Sequence, residues 1–244
     1  MRKRLFYFVS WALVVLGLPL LGVAAICHKL GFLKLRTSIA DLYLAYLARC
    51  MIWLSGSKVK VEGLENIPKE EPVLFVSNHQ GHFDSAVFLA YVRKPKSFVA
   101  SSAASKFPIF SIWFKYAYTV YLEIGNVRQN YTALEGAKEI LGQGRSVAIY
   151  PEGVISSGPE TGEFKRGAFR LAFTEGVPIV PAIIDGTWRV MGEKNDQIQP
   201  ATIMAKILPA IPTHGLSRQD QQELPGQVLA MIQEELEYLQ GKHR

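Results

Sequence analysis

The chain has 244 residues, of which 49% are hydrophobic, and it carries a formal net charge of +6. This length allows one good-sized domain with an appendage, and the basic, apolar composition favours an anionic membrane surface or an anionic ligand as partner. Nucleic-acid binding is disfavoured, because the sequence has no zinc-finger spacing, no arginine-rich tract and no alternation of basic and aromatic residues. Cys27 and Cys50 lie in apolar segments and form neither a disulfide framework nor a nucleophile motif.

The N-terminal segment has the composition of a membrane-associated helix. A basic start precedes an uncharged run over residues 5–27, which as a helix is long enough to cross the roughly 30 Å apolar core of a bilayer. Pro19 falls inside the run and can divide it, so a bent hairpin in one leaflet is as consistent with the sequence as a full span. Positive charge flanks both ends, which leaves the orientation open. The cations that follow the run are Lys29, Lys34 and Arg36.

A second helix is predicted over residues 37–54, where Asp41 and Arg49 interrupt aromatic and aliphatic positions. This pattern is typical of an amphipathic helix on the membrane or against the first helix, and equally of a buried core helix. Gly56 is expected to end it. Because the composition changes here, we divide the chain into membrane-associated helices (residues 1–55) and a second domain (residues 56–244).

Strands and helices alternate in the second domain, which predicts an α/β fold with a mostly parallel twisted sheet flanked by helices. The predicted strands cover residues 59–62, 73–76, 97–100, 119–123, 146–150, 179–184 and 202–208. The predicted helices cover residues 86–92, 107–116, 131–141, 164–175 and 225–239. Pro225 is expected near the first position of the last helix.

The second predicted strand ends in two candidate catalytic residues, His79 and Asp84. On one ideal helix they would face roughly 140° apart, but a turn followed by a helix start can bring the imidazole to the carboxylate. That contact would fix the tautomer and leave the other ring nitrogen as a general base. Asp84 or Ser85 is also a good N-cap for the next helix. The alternatives are a solvated or capping role, and a metal site formed with His82.

A second buried strand ends in Tyr150-Pro151-Glu152-Gly153. Because neighbouring parallel strands end at the same edge of a sheet, we expect Glu152 to share a crevice with His79. Backbone N–H groups around Gly153 are expected to face an anion or a developing oxyanion. The alternative is an ordinary turn with a solvated glutamate.

Lys165 and Arg166 stand at a predicted helix start, where cations do not complement the helix dipole. This favours binding of an external anion, with solvated surface charge as the alternative. The sequence contains no Gly-x-Ser-x-Gly elbow, no P-loop and no dinucleotide fingerprint. His79 and Asp84 therefore have no evident protein nucleophile to activate, and the reaction that fits is activation of a substrate hydroxyl for direct attack on an activated acyl group.

These segments together resemble the glycerolipid acyltransferases, and most closely their bacterial 1-acylglycerol-3-phosphate (lysophosphatidic acid) acyltransferase type. The resemblance covers about residues 58–208 and depends on three motifs in this order: Asn78-His79 with Asp84, Tyr150-Pro151-Glu152-Gly153, and Val177-Pro178-Ile179-Val180-Pro181. It implies that residues 56–244 form an acyltransferase domain.

The resemblance also implies a role for each motif. His79 would be the general base toward a lysolipid hydroxyl, and Asp84 would orient it. Glu152 and Gly153 would help bind the acceptor, and residues 177–181 would shape the acyl-donor side. The donor would be acyl-CoA or acyl-carrier protein, the product phosphatidic acid for phospholipid biosynthesis, and no metal, cofactor or nucleic acid would be needed. The location would be a membrane, the bacterial inner membrane, with the domain facing the cytoplasm.

Two departures from the family pattern bear on the acceptor. Ile124 and Ile155 stand where the family usually has arginines associated with the acceptor phosphate. A bidentate arginine–phosphate contact is worth about 1.5–3 kcal/mol. Either other cations compensate, or the acceptor is a lyso-aminolipid or lysophospholipid without a phosphate monoester; a catalytically silent lipid-binding protein is a further alternative. The candidate cations are Lys106, Arg128, Lys165 and Arg166.

Overall fold

The structure is a computed structural model that describes residues 2–102, 108–123, 126–191 and 197–241, with the side chains of residues 2, 3, 108–110, 127 and 128 left aside. Within these ranges the chain forms one seven-stranded sheet. The strands are β1 (Lys58–Glu62), β2 (Leu74–Ser77), β3 (Lys96–Ser101), β4 (Val120–Leu122), β5 (Ser146–Ile149), β6 (Ile179–Asp185) and β7 (Thr202–Ile207).

The strand order in the sheet is β1-β7-β6-β2-β5-β3-β4. Neighbours from β6 to β4 run parallel, whereas β7 pairs antiparallel with β6, and β1 pairs parallel with β7. Every residue of β2, β5 and β6 is buried, as expected for central parallel strands that are covered on both faces. The predicted α/β fold is therefore confirmed.

Nine helices connect and cover the strands in the described ranges. They are α1 (Arg2–Leu16), α2 (Leu18–Lys29), α3 (Leu33–Ser55), α4 (Asp84–Tyr91), α5 (Pro108–Tyr116), α6 (Val127–Gly142), α7 (Arg170–Glu175), α8 (Thr187–Val190) and α9 (Arg218–Gly241). Gly56 ends α3 in a left-handed conformation with φ of 76°, as expected.

Two predicted helix starts were wrong by six or seven residues. The helix predicted from residue 164 begins as α7, after a short 3-10 turn over Arg166–Ala168, because Lys165 is extended and its N–H donates to the carbonyl of Pro151 at 3.1 Å. The helix predicted from Pro225 begins at Arg218, so Pro225 lies inside α9. The earlier start follows from reciprocal capping between Ser217 and Asp220, whose side chains each accept the other's backbone N–H.

The N-terminal helices share a hydrophobic core with the sheet. One face of the sheet is covered by α6, α7 and α9, and the other by α3, α4 and the start of α1. On that second face, Phe6, Ala48 and Ile52 from the helices are buried in one cluster with Val73 and Phe75. The division near residue 55 thus coincides with the end of α3, but the hydrophobic core contains residues from both sides of it.

The uncharged N-terminal run is divided at Gly17, two residues before Pro19, into α1 and α2, which meet at a bend of 41°. No single helix in the described ranges is long and apolar enough to span a membrane, although this bent pair meets both requirements together. The hydroxyl of Tyr43 donates to the carbonyl of Leu13 at 2.8 Å, which supplies a partner near the end of α1.

Candidate active site

The site is built on the turn that follows β2, which we call the His79 turn (residues 78–84). Asn78 fixes its start, because its side-chain amide donates to the carbonyl of Ile184 at 2.8 Å and accepts the N–H of Ile184 at 2.9 Å. These bonds continue the pairing of β2 with β6 beyond the last strand residue. The turn then leads directly into α4.

The imidazole of His79 folds back onto the carboxylate of Asp84, with 2.7 Å between Nδ1 and Oδ2. This is the contact that the spacing predicted. Asp84 is fully buried, whereas the side chain of His79 keeps 18% of its surface exposed. A hydrogen bond on Nδ1 leaves Nε2 as the ring nitrogen that can accept a proton.

The predicted N-cap role of Asp84 or Ser85 was wrong. Phe83 occupies the N-cap position and Asp84 is the first residue of α4. The Asp84 side chain turns backward along the chain, because Oδ2 accepts the N–H of Gly81 at 2.9 Å as well as the His79 contact. A small residue suits position 81, where a Cβ would lie 3.1 Å from the backbone of Thr187.

The ring of His79 stacks on Tyr150, the residue that follows β5. The ring centroids are 4.1 Å apart and the planes differ by 13°. The Tyr150 hydroxyl lies 3.2 Å from Oγ of Ser85. Burial, with the nearby charge of Asp84 adding to it, raises the pKa of Tyr150 well above its usual value, so this hydroxyl stays neutral.

Glu152 binds the backbone of the His79 turn. Its Oε1 accepts the N–H of His79 at 2.7 Å, and its Oε2 accepts the N–H of Gly162 at 2.9 Å. Burial raises the pKa of Glu152, although these two N–H groups oppose the rise. With 5% of its surface exposed, the residue is not the solvated glutamate of the alternative interpretation. It shares the crevice with His79, as predicted.

The segment from 150 to 165, which we call the Glu152 loop, also holds the other backbone group of His79. The N–H of Ser156 donates to the carbonyl of His79 at 2.8 Å. The N–H of Gly153 itself does not face an anion, because it donates to the carbonyl of Tyr150 at 3.1 Å inside the turn. For the other N–H groups around Gly153, the expectation stays a prediction. Gly153 has φ of 73°, a conformation that suits glycine.

Lys165, another predicted binding residue, ends this loop and packs against Gly153. A Cβ on Gly153 would be 2.6 Å from the Nζ of Lys165, so the glycine makes room for the ammonium group. Lys165 and Arg166 are both exposed, and Arg166 begins the 3-10 turn rather than a regular helix. Acceptor binding by Glu152, Gly153, Lys165 and Arg166 stays a prediction.

The structure describes the remaining candidates only in part. Lys106 and Ile124 lie outside the described residues, and Arg128 lies in α6 where its side chain is not described. Ile155 is half-buried in the Glu152 loop. In the described ranges no three histidine, cysteine, aspartate or glutamate side chains could hold a metal ion, and His82 is exposed, so the metal alternative has no support.

One polar residue of the site was missed. Thr187, the first residue of α8, is fully buried and its hydroxyl donates to Oδ1 of Asp84. The two residues are 103 positions apart, beyond the reach of local pattern. The available signal was the polar segment Asp185-Gly186-Thr187 at the end of a buried strand next to β2.

Residues 58–185 match the model of the Acyltransferase family, and this chain belongs to that family. It is 28% identical over 159 residues to a 1-acyl-sn-glycerol-3-phosphate acyltransferase of Borreliella burgdorferi. This alignment covers 65% of this chain and 60% of the relative. A relative of the same name from Saccharomyces cerevisiae is 29% identical over 225 residues, with 88% and 72% covered. The crystal structure of the 1-acyl-sn-glycerophosphate acyltransferase PlsC from Thermotoga maritima superposes with a TM-score of 0.85 at 25% identity, over 98% of this chain and 95% of that one.

Proposed function

We propose that this chain is a membrane-bound O-acyltransferase that moves a fatty acyl group from a thioester to the free hydroxyl of a lysolipid. The donor is acyl-CoA or acyl-carrier protein, and the first-choice acceptor is 1-acylglycerol-3-phosphate, which gives phosphatidic acid. The observation that carries the proposal is the 2.7 Å contact between His79 and Asp84 at the carboxyl edge of a parallel sheet in a member of this family.

The chemistry follows from the free ring nitrogen. Nε2 of His79 removes the proton of the lysolipid hydroxyl while the oxygen attacks the thioester carbonyl, and Asp84 stabilises the imidazolium that forms. The carbon–sulfur bond then breaks. The proton passes from the imidazolium to the departing thiolate, so that the products are an ester and a free thiol.

The N-terminal helices support a place at the membrane. Several of their large apolar side chains face outward, among them Phe8 with 72% and Trp53 with 78% of the surface exposed. Such an area in the neighbourhood of cations is typical of a lipid-facing surface. Phe6 of α1 contacts Phe83 in the His79 turn, with 6.1 Å between ring centroids. The acceptor would thus meet the base beside the lipid. We take the side to be the cytoplasmic face of the bacterial inner membrane, as the family resemblance implies.

Substitution of His79 tests the reaction. General base catalysis contributes typically about 10²–10⁴-fold, so His79→Ala should lower turnover at least a hundredfold. The assay follows free thiol released from acyl-CoA, with and without lysolipid, by the full chain in vesicles. His82→Ala is the matched control, because that histidine is exposed in the same turn, and it should keep normal turnover. Near-normal turnover of His79→Ala would refute the role of His79.

Ile155 supports a second candidate acceptor, one without a phosphate monoester. The loop next to Gly153 carries this isoleucine where the family usually has an arginine, and Lys165 is the described cation nearest that glycine. If Lys165 compensates, Lys165→Met should raise the KM for lysophosphatidic acid about tenfold or more, the value of one charge-assisted bond. Arg170→Gln, at an exposed cation of α7, serves as the control.

The acceptor panel separates the candidates. Lysophosphatidic acid is compared with a lysophospholipid diester and a lyso-aminolipid in the unmodified chain. A preference for the monoester that Lys165→Met abolishes supports the first candidate. A preference for another acceptor that Lys165→Met leaves unchanged supports the second. Absence of thiol release with all of them would favour the silent lipid-binding alternative.

A further inference from the structure

The turn from the last residue of β6 to the first residue of α8, residues 185–187, packs directly against the His79 turn, and we call it the Thr187 turn. Gln80 connects the two, because its Oε1 accepts the N–H of Gly186 at 3.0 Å and its Nε2 lies 3.4 Å from Oδ1 of Asp185. Gly186 has φ of 95° and approaches the carbonyl of Thr202 too closely for a Cβ. The backbone that presents Thr187 is therefore closely fixed.

Asp84 needs donors because its carboxylate is fully buried. A buried ionised carboxylate is costly unless hydrogen bonds satisfy its lone pairs. Oδ2 has two donors, Nδ1 of His79 and the N–H of Gly81. In the described part of the chain, the hydroxyl of Thr187 is the donor to Oδ1.

We propose that Thr187 is a positioning residue for this active site, acting through Asp84 on His79. This inference rests on the proposed acyl transfer, which needs Asp84 aligned with Nδ1. The hydroxyl anchors the oxygen that does not touch the imidazole, so that the carboxylate plane cannot rotate away from the ring. The arrangement extends the pair of His79 and Asp84, which follow β2, to a row of three whose third member, Thr187, follows the neighbouring strand β6.

The test compares Thr187→Val, which keeps the shape and removes the hydroxyl, with Thr187→Ser, which restores it. We expect Thr187→Val to lower kcat about ten- to a hundredfold with little change in KM, because loss of alignment affects the base and not substrate binding. Thr187→Ser should stay within about threefold of the unmodified chain.

Thr213→Val is the matched control. Thr213 is also buried, and its hydroxyl donates to the carbonyls of Ala172 and Val177 away from the site. Its loss should lower the unfolding temperature and leave kcat unchanged. Equal loss of kcat in Thr187→Val and Thr213→Val would overturn the proposal, and so would a loss confined to KM or an unchanged kcat in Thr187→Val.

A second measurement does not depend on acyl transfer. Diethyl pyrocarbonate modifies neutral imidazoles. The modification rate of His79 is obtained by measuring each variant with and without the additional substitution His79→Ala and subtracting the second rate from the first. A carboxylate held on Nδ1 makes Nε2 a better nucleophile, so Thr187→Val should slow this rate several-fold and Thr187→Ser should not. If the unmodified chain transfers no acyl group, the proposed function fails while this modification rate still decides the role of Thr187.

A second variant covers the case in which Thr187→Val does not fold. Thr187→Cys then replaces it, since a thiol is a weaker donor than a hydroxyl. A normal modification rate of His79 in Thr187→Cys contradicts the proposal.

Discussion

The carboxylate of Glu152 offers a sharp test of how the site is held together. Glu152→Gln keeps the shape but turns one accepting oxygen into an NH₂ group, so the N–H of His79 or that of Gly162 loses its acceptor. A buried N–H without a partner costs about 1–3 kcal/mol, and the remaining bond loses its charge assistance. Because burial raises the pKa of Glu152, removal of its charge also recovers part of the desolvation cost. We expect a net fall of about 1–3 kcal/mol in the free energy of unfolding.

Catalysis should suffer as well as stability. The bond of 2.7 Å fixes the backbone of the residue whose ring does the chemistry. A displacement of a reacting group by about 1 Å can cost roughly a hundredfold in rate. We therefore expect kcat of Glu152→Gln to fall about ten- to a hundredfold at unchanged KM for the acceptor.

The assay measures kcat and KM for both substrates together with the unfolding temperature. Glu163→Gln is the control, because Glu163 is exposed on the same loop and its substitution should leave all of these values unchanged. A rise in acceptor KM at normal kcat would refute the positioning argument. It would instead support the acceptor-binding role that the family resemblance implies for Glu152.

Two further predictions concern aromatic stacking and a buried cation. Tyr150→Phe keeps the ring stacked on His79 and should hold kcat within about threefold of the unmodified chain. Tyr150→Leu removes the stacking and should lower kcat up to about tenfold, which corresponds to the free energy of an aromatic pair. Equal losses of kcat in the two variants would assign the loss to the hydroxyl. Burial lowers the pKa of Lys96 to about 7, while the unfolded chain holds that proton to about 10.5. The buried ammonium therefore lowers the free energy of unfolding by its full amount below pH 7, and by less as the pH rises toward 10.5. For this reason Lys96→Met should raise the unfolding temperature more at pH 6 than at pH 9.5. An equal gain at both values would contradict this.

The sequence predicted the parts of the fold that depend on local pattern. The strands β2, β5 and β6 are apolar at nearly every position, so their existence, their parallel arrangement and the meeting of His79 with Glu152 followed from the sequence. The fold class and the family resemblance also depend on these segments, and the family match and the structural match confirm both.

The errors occurred where a polar group forms a hydrogen bond that the local sequence pattern does not predict. Asp84 was expected to cap α4, but the imidazole of His79 and the N–H of Gly81 draw it backward. The N–H groups around Gly153 were expected to face an anion or an oxyanion, but the tight turn after β5 uses the N–H of Gly153 itself internally. Thr187 was missed because only the pairing of β2 with β6 brings it to Asp84.

The burial of Phe6, Ala48 and Ile52 against Val73 and Phe75 has a practical consequence for handling the protein. Deleting the first 55 residues to obtain a water-soluble enzyme would remove α1 and α3 from one face of the sheet and leave α4 to cover that face without them. The truncated polypeptide would aggregate through that apolar face rather than gain solubility. For the same reason, an unrelated N-terminal segment could replace residues 1–55 only if it also fitted the apolar surface of the sheet beneath it.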